Sequence, residues 1–308
     1  MAHGIALSAQ PAATPPPGRA VFTSDVVRVG RFRCPVSHPL FRNSGPTNEY
    51  TIAFPRTSVW IQHEHERAFV ADTTVVTMYN PTQRYERRPN DPRGDLCEWL
   101  ALSPTVLREM VRTLDPRAAD DEHSLLTFAW GPVGADAYLQ QRRLYDYVTR
   151  DPRPDQLLVE ETVVHILSAV FRSVYQGRAP GRVSRARTSE NHRAIVHDVR
   201  ARLAKTCHQA QSLSAIAAHA GVSVFHLCRI FRAHTGNTLH AHLNQLRLRV
   251  SLELLLDTKR DILSLALDLG FSSHSHFTAA FHRCFGRSPS RVRVERPGMR
   301  DCGDLSGG

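Results

Sequence analysis

The feature that most limits how this chain can fold is an internal repeat near its C-terminal end. Residues 212–236, "SLSAIAAHAGVSVFHLCRIFRAHTG", and 261–286, "DILSLALDLGFSSHSHFTAAFHRCFG", show the same order of parts at an offset of 49 to 50 residues. Ala217 answers Ala266, Gly221 answers Gly270, and Ser223 answers Ser272. One inserted position later, Leu227 answers Phe277, Phe231 answers Phe281 and Gly236 answers Gly286. A small alanine permits close helix crossing. The glycine supplies the positive φ of a tight turn, and the serine caps the next helix. Together they are the parts of a helix-turn-helix, whose second helix enters the major groove. One copy would be an ordinary helical hairpin; a repeat of glycine, cap and core positions is hard to reach by chance.

The second helix of the first unit keeps two faces. At 100° per residue, Leu227, Ile230 and Phe231 form one apolar stripe, and Phe225, Arg229 and Arg232 fall roughly opposite. An aromatic on the outer face forgoes burial unless something else covers it. Between the units, "TLHAHLNQLRLRVSLELLLDT" places Leu239, Leu243, Leu246, Val250 and Leu254 on one side of a helix of about five turns. Such a helix would hold two recognition helices at fixed separation, for successive major grooves about 34 Å apart.

Charge agrees with this placement. The 308 residues carry a net charge of +10. Residues 182–300 hold 19 Arg/Lys against 7 Asp/Glu, while residues 1–181 hold 20 of each. A neutral front and a basic back put the polyanion partner at the back. No stretch approaches the roughly 20 apolar residues of a membrane span. The N-terminus lacks the basic and apolar regions of a secretory signal. The cysteines at 34, 97, 207, 228, 284 and 302 form no CxxC pairing or regular framework, the usage expected of reduced intracellular thiols.

The repeat resembles the DNA-binding half of the AraC/XylS family of bacterial transcription regulators. The resemblance rests on Ser212-Leu213, Ile216-Ala217, Gly221-Val222-Ser223, Leu227, Arg229, Phe231 and Gly236. It runs on through "RLRVSLELL" (247–255), Ile262, Gly270-Phe271-Ser272, Ser275, Phe277, Phe281, Phe285-Gly286 and Ser288-Pro289. It implies seven helices, with recognition helices near 224–233 and 273–283. It implies DNA contacts from Val224, Phe225, His226, Cys228, Arg229 and Arg232 in the first unit. In the second it implies contacts from Ser273, His274, Ser275, His276, Thr278 and Arg283. Arg229 is the candidate for a bidentate guanine contact, worth about 1–3 kcal/mol of discrimination. The second unit departs from the family at Ala279, where arginine is frequent, so base readout should lean on the first helix. "GNTL" (236–239) also lacks the Ser-Pro that "GRSP" (286–289) keeps.

Ahead of the repeat, "EYTIAF", "SVWIQ", "FVADTTVVTMYN" and "LCEWLAL" are short β-branched and aromatic runs separated by turns, the pattern of an antiparallel sandwich or barrel. Helical periodicity follows at Leu107, Met110, Val111 and Leu114, and at Val159, Val163, Ile166 and Val170. The last of these helices is expected to pack on its own domain, with a second subunit as the alternative. Histidines two apart, as at His240/His242 and His274/His276, are poorly spaced for joint ligation on a helix. "WIQHEHERAF" carries His63 and His65, which on a strand would share a face as in metal-binding cupin barrels. The pattern's later glutamate and final histidine are not evident. Cys34, His38 and Cys97 complete a candidate ligand- or metal-sensing set, with buried inert thiols as the ordinary alternative.

The sequence thus points to an α+β chain: a cupin-like antiparallel β-barrel with helices, then an all-α double helix-turn-helix joined by a long helix. The expected bounds are a leader at 1–20, a sensor or dimerisation domain at 21–175, a linker at 176–190, a DNA-binding domain at 191–296 and a tail at 297–308. The expected function is a cytoplasmic, sequence-specific, non-enzymatic transcription regulator needing no cofactor or metal. Its partners would be double-stranded promoter DNA, RNA polymerase, a small-molecule effector and a second copy of the chain, with no membrane. The alternative is a cupin-type metal-dependent enzyme fused to a helical domain.

Overall fold

Alternation along "VRVGRFRC" sends Val27 and Val29 to one face of a strand and Cys34 to the other, and this run is strand β2 (Val27–Cys34). The structure, a computed structural model, describes residues 17–43, 47–120, 124–176 and 186–294. Strand β2 joins β1 (Gly18–Thr23), β3 (Thr51–Pro55), β6 (Val75–Tyr79), β8 (Asp95–Leu102) and β9 (Trp130–Pro132) in an antiparallel sheet of order β1-β2-β8-β3-β6-β9. A smaller sheet orders β5 (Phe69–Ala71), β4 (Val59–His63) and β7 (Tyr85–Pro89) as β5-β4-β7. Between the sheets lie Cys34, Phe41, Ala53, Val59, Ile61, Phe69, Tyr79 and Cys97. The other face of the large sheet, with Val29, Ile52, Phe54, Val76, Met78 and Leu100, packs on helices α1 (Pro104–Arg112), α2 (Pro116–Ala119), α3 (Ala135–Arg150) and α4 (Gln156–Gln176). Val159, Val163, Ile166 and Val170 of α4 are fully buried in that core, so α4 packs on its own domain.

Two expected bounds shift. Strand β1 starts inside the expected leader, because Gly18 and Arg19 pair with Phe32 and Arg31, and Arg33 N–H donates to the Pro17 carbonyl at 2.8 Å. Helix α5 (Ala186–Thr206) starts inside the expected linker. Residues 1–16 of the leader, 177–185 of the linker and the whole tail lie outside the described residues.

The C-terminal half is helical: α5, α6 (Leu213–His219), α7 (Val224–Thr235), α8 (Leu239–Asp257), α9 (Ile262–Asp268), α10 (His274–Phe285) and α11 (Pro289–Val294). Each repeat unit ends its first helix with a Schellman pair. Gly221 N–H donates to Ala218 and Val222 N–H to Ala217; Gly270 donates to Leu267 and Phe271 to Ala266. Both glycines are left-handed, at φ 66° and 79°. Ser223 caps α7 through His226 N–H at 3.2 Å. Ser273, not Ser272, is the matching cap, accepting from His276 N–H at 3.1 Å. The inserted residue therefore falls between glycine and cap, and Ser272 instead contacts His276 Nδ1 at 3.0 Å.

Helix α8 belongs to two cores. Leu239, Leu243 and Leu246 close the first unit over Val199, Leu203, Leu227 and Phe231. Leu248, Leu252 and Leu255 join the second unit to the core of the front domain. At the same joint its Arg249 and Glu253 are buried, while Asp257 sits at the exposed rim. Tyr138 Oη donates to Glu253 at 2.8 Å, Arg142 Nε meets Glu253 at 3.0 Å, and Arg142 also pairs with Asp257 at 3.3 Å. Arg142 and Arg56 both reach Glu98 of β8, Arg56 at 3.2 Å; Arg56 also pairs with Glu253 and Asp257. Gln141 donates to the other Glu98 oxygen at 2.9 Å. Arg249 donates to the carbonyls of Thr73 and Val133, the latter at 2.6 Å. Helix α5 adds a second tie, where Arg200 pairs with buried Asp72 at 2.9 Å.

Arg247 links the units: its guanidinium donates to Cys207 (2.7 Å), Gln209 (3.0 Å) and Gly270 (3.0 Å) carbonyls. A Cβ on Gly270 would lie 2.8 Å from Arg247 Nη2, whereas one on Gly221 meets open space. Gly221→Ala is therefore expected to cost about 1 kcal/mol for its positive φ alone. Gly270→Ala should cost about 1–2 kcal/mol more, because Arg247 must give up a carbonyl. Urea unfolding of the two variants checks the order; equal losses would contradict it.

Candidate nucleic-acid interface

The cap and the Schellman turn fix where α7 starts, and its periodicity then decides what faces out. Leu227, Ile230 and Phe231 are buried. Phe225 is 79% exposed, among the most exposed large apolar side chains of the described residues, beside exposed Cys228, Arg229 and Arg232. Val224 is exposed at the start of the helix, and His226 is half-buried. Neither Arg229 nor Arg232 has an ion-pair partner among the described residues; Arg229 Nη2 lies 3.3 Å from His226 Nδ1. His192 of α5 stands edge-on to His226 at 5.0 Å. Partial burial, with His226 and Arg229 close by, holds His192 below the usual histidine range. This end of α7 is therefore cationic, with an uncovered aromatic at its centre.

Helix α10 turns Phe277, Phe281 and Phe285 inward. Outward it leaves an open groove of about 700 Å³ lined by His274, Ser275, Thr278, Ala279, His282 and Arg283. Ser273 is spent on the cap, its hydroxyl already accepting from the backbone. His276 is exposed, and Thr278 keeps its hydroxyl buried with no hydrogen-bond partner among the described residues. The second face thus offers imidazoles, the Ser275 hydroxyl and one guanidinium, Arg283, where the first offers two.

Of the front-domain candidates, only Cys34 and Cys97 share one core. His63 ends β4 with its ring buried, 5.0 Å from the Tyr79 ring, and its Nδ1 lies 2.9 Å from Gln83 Nε2. Its Nε2 has no partner among the described residues. His65 falls in the turn after the strand at φ 64°, with its side chain 91% exposed. The shared strand face expected for the pair is lost because β4 ends at His63. Cys34 and Cys97 are buried on one face of adjoining strands, where Cys34 pairs with Asp95 and Phe32 with Cys97. That diagonal placement is a poor one for a disulfide. Burial raises both thiols above the usual cysteine range, which makes them inert nucleophiles. His38 lies in the turn after β2 and lines a surface cleft instead. No cluster of three or more His, Cys, Asp or Glu arranged to hold a metal occurs among the described residues.

Sequence reading missed the charged joint. Glu98, Arg142, Arg200, Arg249 and Glu253 sit at ordinary helix and strand positions, and only the run "RLRVSLELL", with leucine on every side of its charges, hints that those charges are enclosed.

Residues 216–295 match the profile of a family described as a helix-turn-helix domain. The regulatory protein SoxS of Escherichia coli (strain K12) is 34% identical over 103 residues, which are 33% of this chain and 96% of SoxS. The HTH-type transcriptional regulator GlxA of Rhizobium meliloti (strain 1021) is 35% identical over 122 residues, 39% of this chain and 37% of GlxA. Among solved structures, a transcriptional regulator from Chromobacterium violaceum, with an AraC-type DNA-binding domain, is 27% identical with a TM-score of 0.32. It covers 37% of this chain and 98% of its own.

Two buried histidines make a separate demand. Burial holds both His63 and His242 at about 4, below the ordinary 6.5. The unfolded chain then takes up these protons near pH 6.5 while the folded chain refuses them until about pH 4. Stability should be flat above pH 7 and fall as pH drops through that window. The loss at pH 5 should be about 2 kcal/mol per histidine. Denaturant unfolding at pH 7.5 and 5 measures it, and His63→Gln should flatten the slope; an unchanged slope would show that His63 titrates normally.

Proposed function

The chain belongs to the AraC/XylS family of DNA-binding transcription regulators, and we propose that it reads two successive major-groove half-sites of promoter DNA under control of its N-terminal domain. The observation that carries this reading is the outer face of α7: an exposed phenylalanine flanked by two arginines without carboxylate partners among the described residues. Arg229 would read a guanine edge in the major groove. Phe225 would contact a thymine methyl or sugar, and Arg232 a phosphate. Val224, His226 and Cys228 border the same face. In the second unit Ser273, His274, Ser275, His276, Thr278 and Arg283 would position the protein and read bases through imidazole and hydroxyl contacts.

The N-terminal domain is the signal-sensing half, tied to α8 by the buried charges and so able to bias how the two helices are presented. A small effector, RNA polymerase and a second copy of the chain are the further partners of this reading. No single helix among the described residues is long and apolar enough to cross a membrane. A regulator of chromosomal promoters works in the cytoplasm. The metal-dependent enzyme is the weaker reading, since His63 and His65 are parted and the relatives reported above are regulators.

Arg229→Ala is expected to weaken binding to a selected promoter duplex by roughly 5- to 100-fold. Affinity for random duplexes should change little, and binding by both proteins should fall steeply with salt. Fluorescence anisotropy at two salt concentrations measures this. Wild-type affinity equal for all duplexes would overturn sequence-specific reading. Loss of all binding together with the helical circular dichroism signal would make Arg229 structural.

A further inference from the structure

Three arginines share one face at the edge of the large sheet. Arg19 of β1 stands directly opposite Arg31 of β2, and Arg33 follows two residues along the same face. Like charges directly opposed across an antiparallel pair destabilise it. None of the three has an ion-pair partner among the described residues, and the sequence of residues 1–16 contains no acidic side chain. Edge strands do carry charge to block unwanted pairing, but β2 is paired on both sides, so that purpose accounts at most for Arg19.

The arginines overlook a cleft of about 710 Å³ between this face and the C-terminal end of α3, with Val21 and Val148 in its walls. Tyr145 borders it beside Arg31, whose charge works against the burial that raises the Tyr145 hydroxyl. Converging guanidinium forks beside an apolar wall suit a planar or tetrahedral oxyanion with a short carbon skeleton.

We propose that this cleft is the effector site of the N-terminal domain, and that it takes a small molecule bearing two or more carboxylate or phosphate groups. The inference rests on reading that domain as the signal-sensing half. Bound anion would relieve the opposition of Arg19 and Arg31. It would also press on α3 one turn beyond Arg142, the residue that holds Glu98, Glu253 and Asp257. On the sheet side, Arg31 is the register partner of Glu98 itself. Both walls of the cleft thus run directly into the joint that seats α8.

The test is calorimetric titration of the full chain with citrate and with inorganic pyrophosphate, which separate the carboxylate from the phosphate case. One-site binding by at least one probe is expected. It should persist in Arg229→Ala/Arg232→Ala, which removes cations from the DNA face. It should weaken at least about 100-fold in Arg31→Gln/Arg33→Gln, through loss of two charge-assisted contacts. Without anion, that variant should melt at the wild-type temperature or higher and bind promoter DNA as wild type does. If the double variant fails to fold, Arg33→Gln alone, at an exposed position, should still weaken binding at least about tenfold.

Four outcomes would overturn the proposal. Neither probe binds at millimolar concentration; binding follows the Arg229/Arg232 variant instead; the anion-free Arg31/Arg33 variant melts lower; or it loses DNA affinity, which would make the face a DNA-backbone contact. Because promoter binding is read separately, failure of the anion site leaves the DNA-binding reading standing, and the reverse also holds.

Discussion

The structure turns on Glu253, a buried carboxylate on α8 held by Tyr138 and Arg142 from α3 and by Arg56 from the turn after β3. Two guanidinium groups face two buried carboxylates here, Glu98 and Glu253, with Asp257 at the exposed rim. Burial raises the Glu253 carboxyl above its ordinary range in spite of both arginines. Such clusters add little net stability over a well-packed apolar contact. Removing one member strands the others, at a cost of about 3–5 kcal/mol. What the cluster supplies is a single seat for α8. The helix cannot slide or rotate against the front domain without leaving charges unpaired.

That constraint divides the DNA-binding half unevenly. The second unit shares one continuous core with the front domain, through Leu248, Leu252, Phe277, Phe281 and the helices beneath the sheet. The first unit has its own core and touches the front domain through α5, by Arg200 on Asp72 and by His197 edge-on to Trp130 at 5.4 Å. The unit that is richer in guanidinium groups is thus the one whose core is independent of the front domain. Under the proposed reading, a change at the front domain would re-aim the first unit relative to the second without dismantling either. Coupling needs only two arrangements of the joint that differ in their affinity for DNA.

The repeat was legible because its signals are local. A left-handed glycine, a serine cap and a 3.6-residue stripe each act within a few residues, so α6, α7, α9 and α10 could be placed from sequence. The cap of α10 was set one residue early because Ser272 and Ser273 are adjacent, and only backbone geometry tells which one accepts from His276. The front domain was harder to read. β1 and β2 precede the runs that announced the barrel, and β2 carries arginines on the face where its valines set the apolar pattern. α3 buries Gln141 and Arg142, so its inward stripe is not apolar. Pairing of Arg142 with Glu98 and Glu253, 44 positions before it and 111 after, is long-range information that no window of sequence contains. His63 and His65 show the same limit, since where β4 ends decides whether they share a face.

The proposed function requires two recognition helices acting together on one DNA face. The direct measurement is sequencing of genomic DNA fragments retained by the purified full-length protein. The predicted result is a shared motif of two half-sites about one helical turn apart, near 34 Å, with the stronger base preference in the half bound by α7. Retained fragments with no motif, or with a single half-site and no spaced companion, would contradict it.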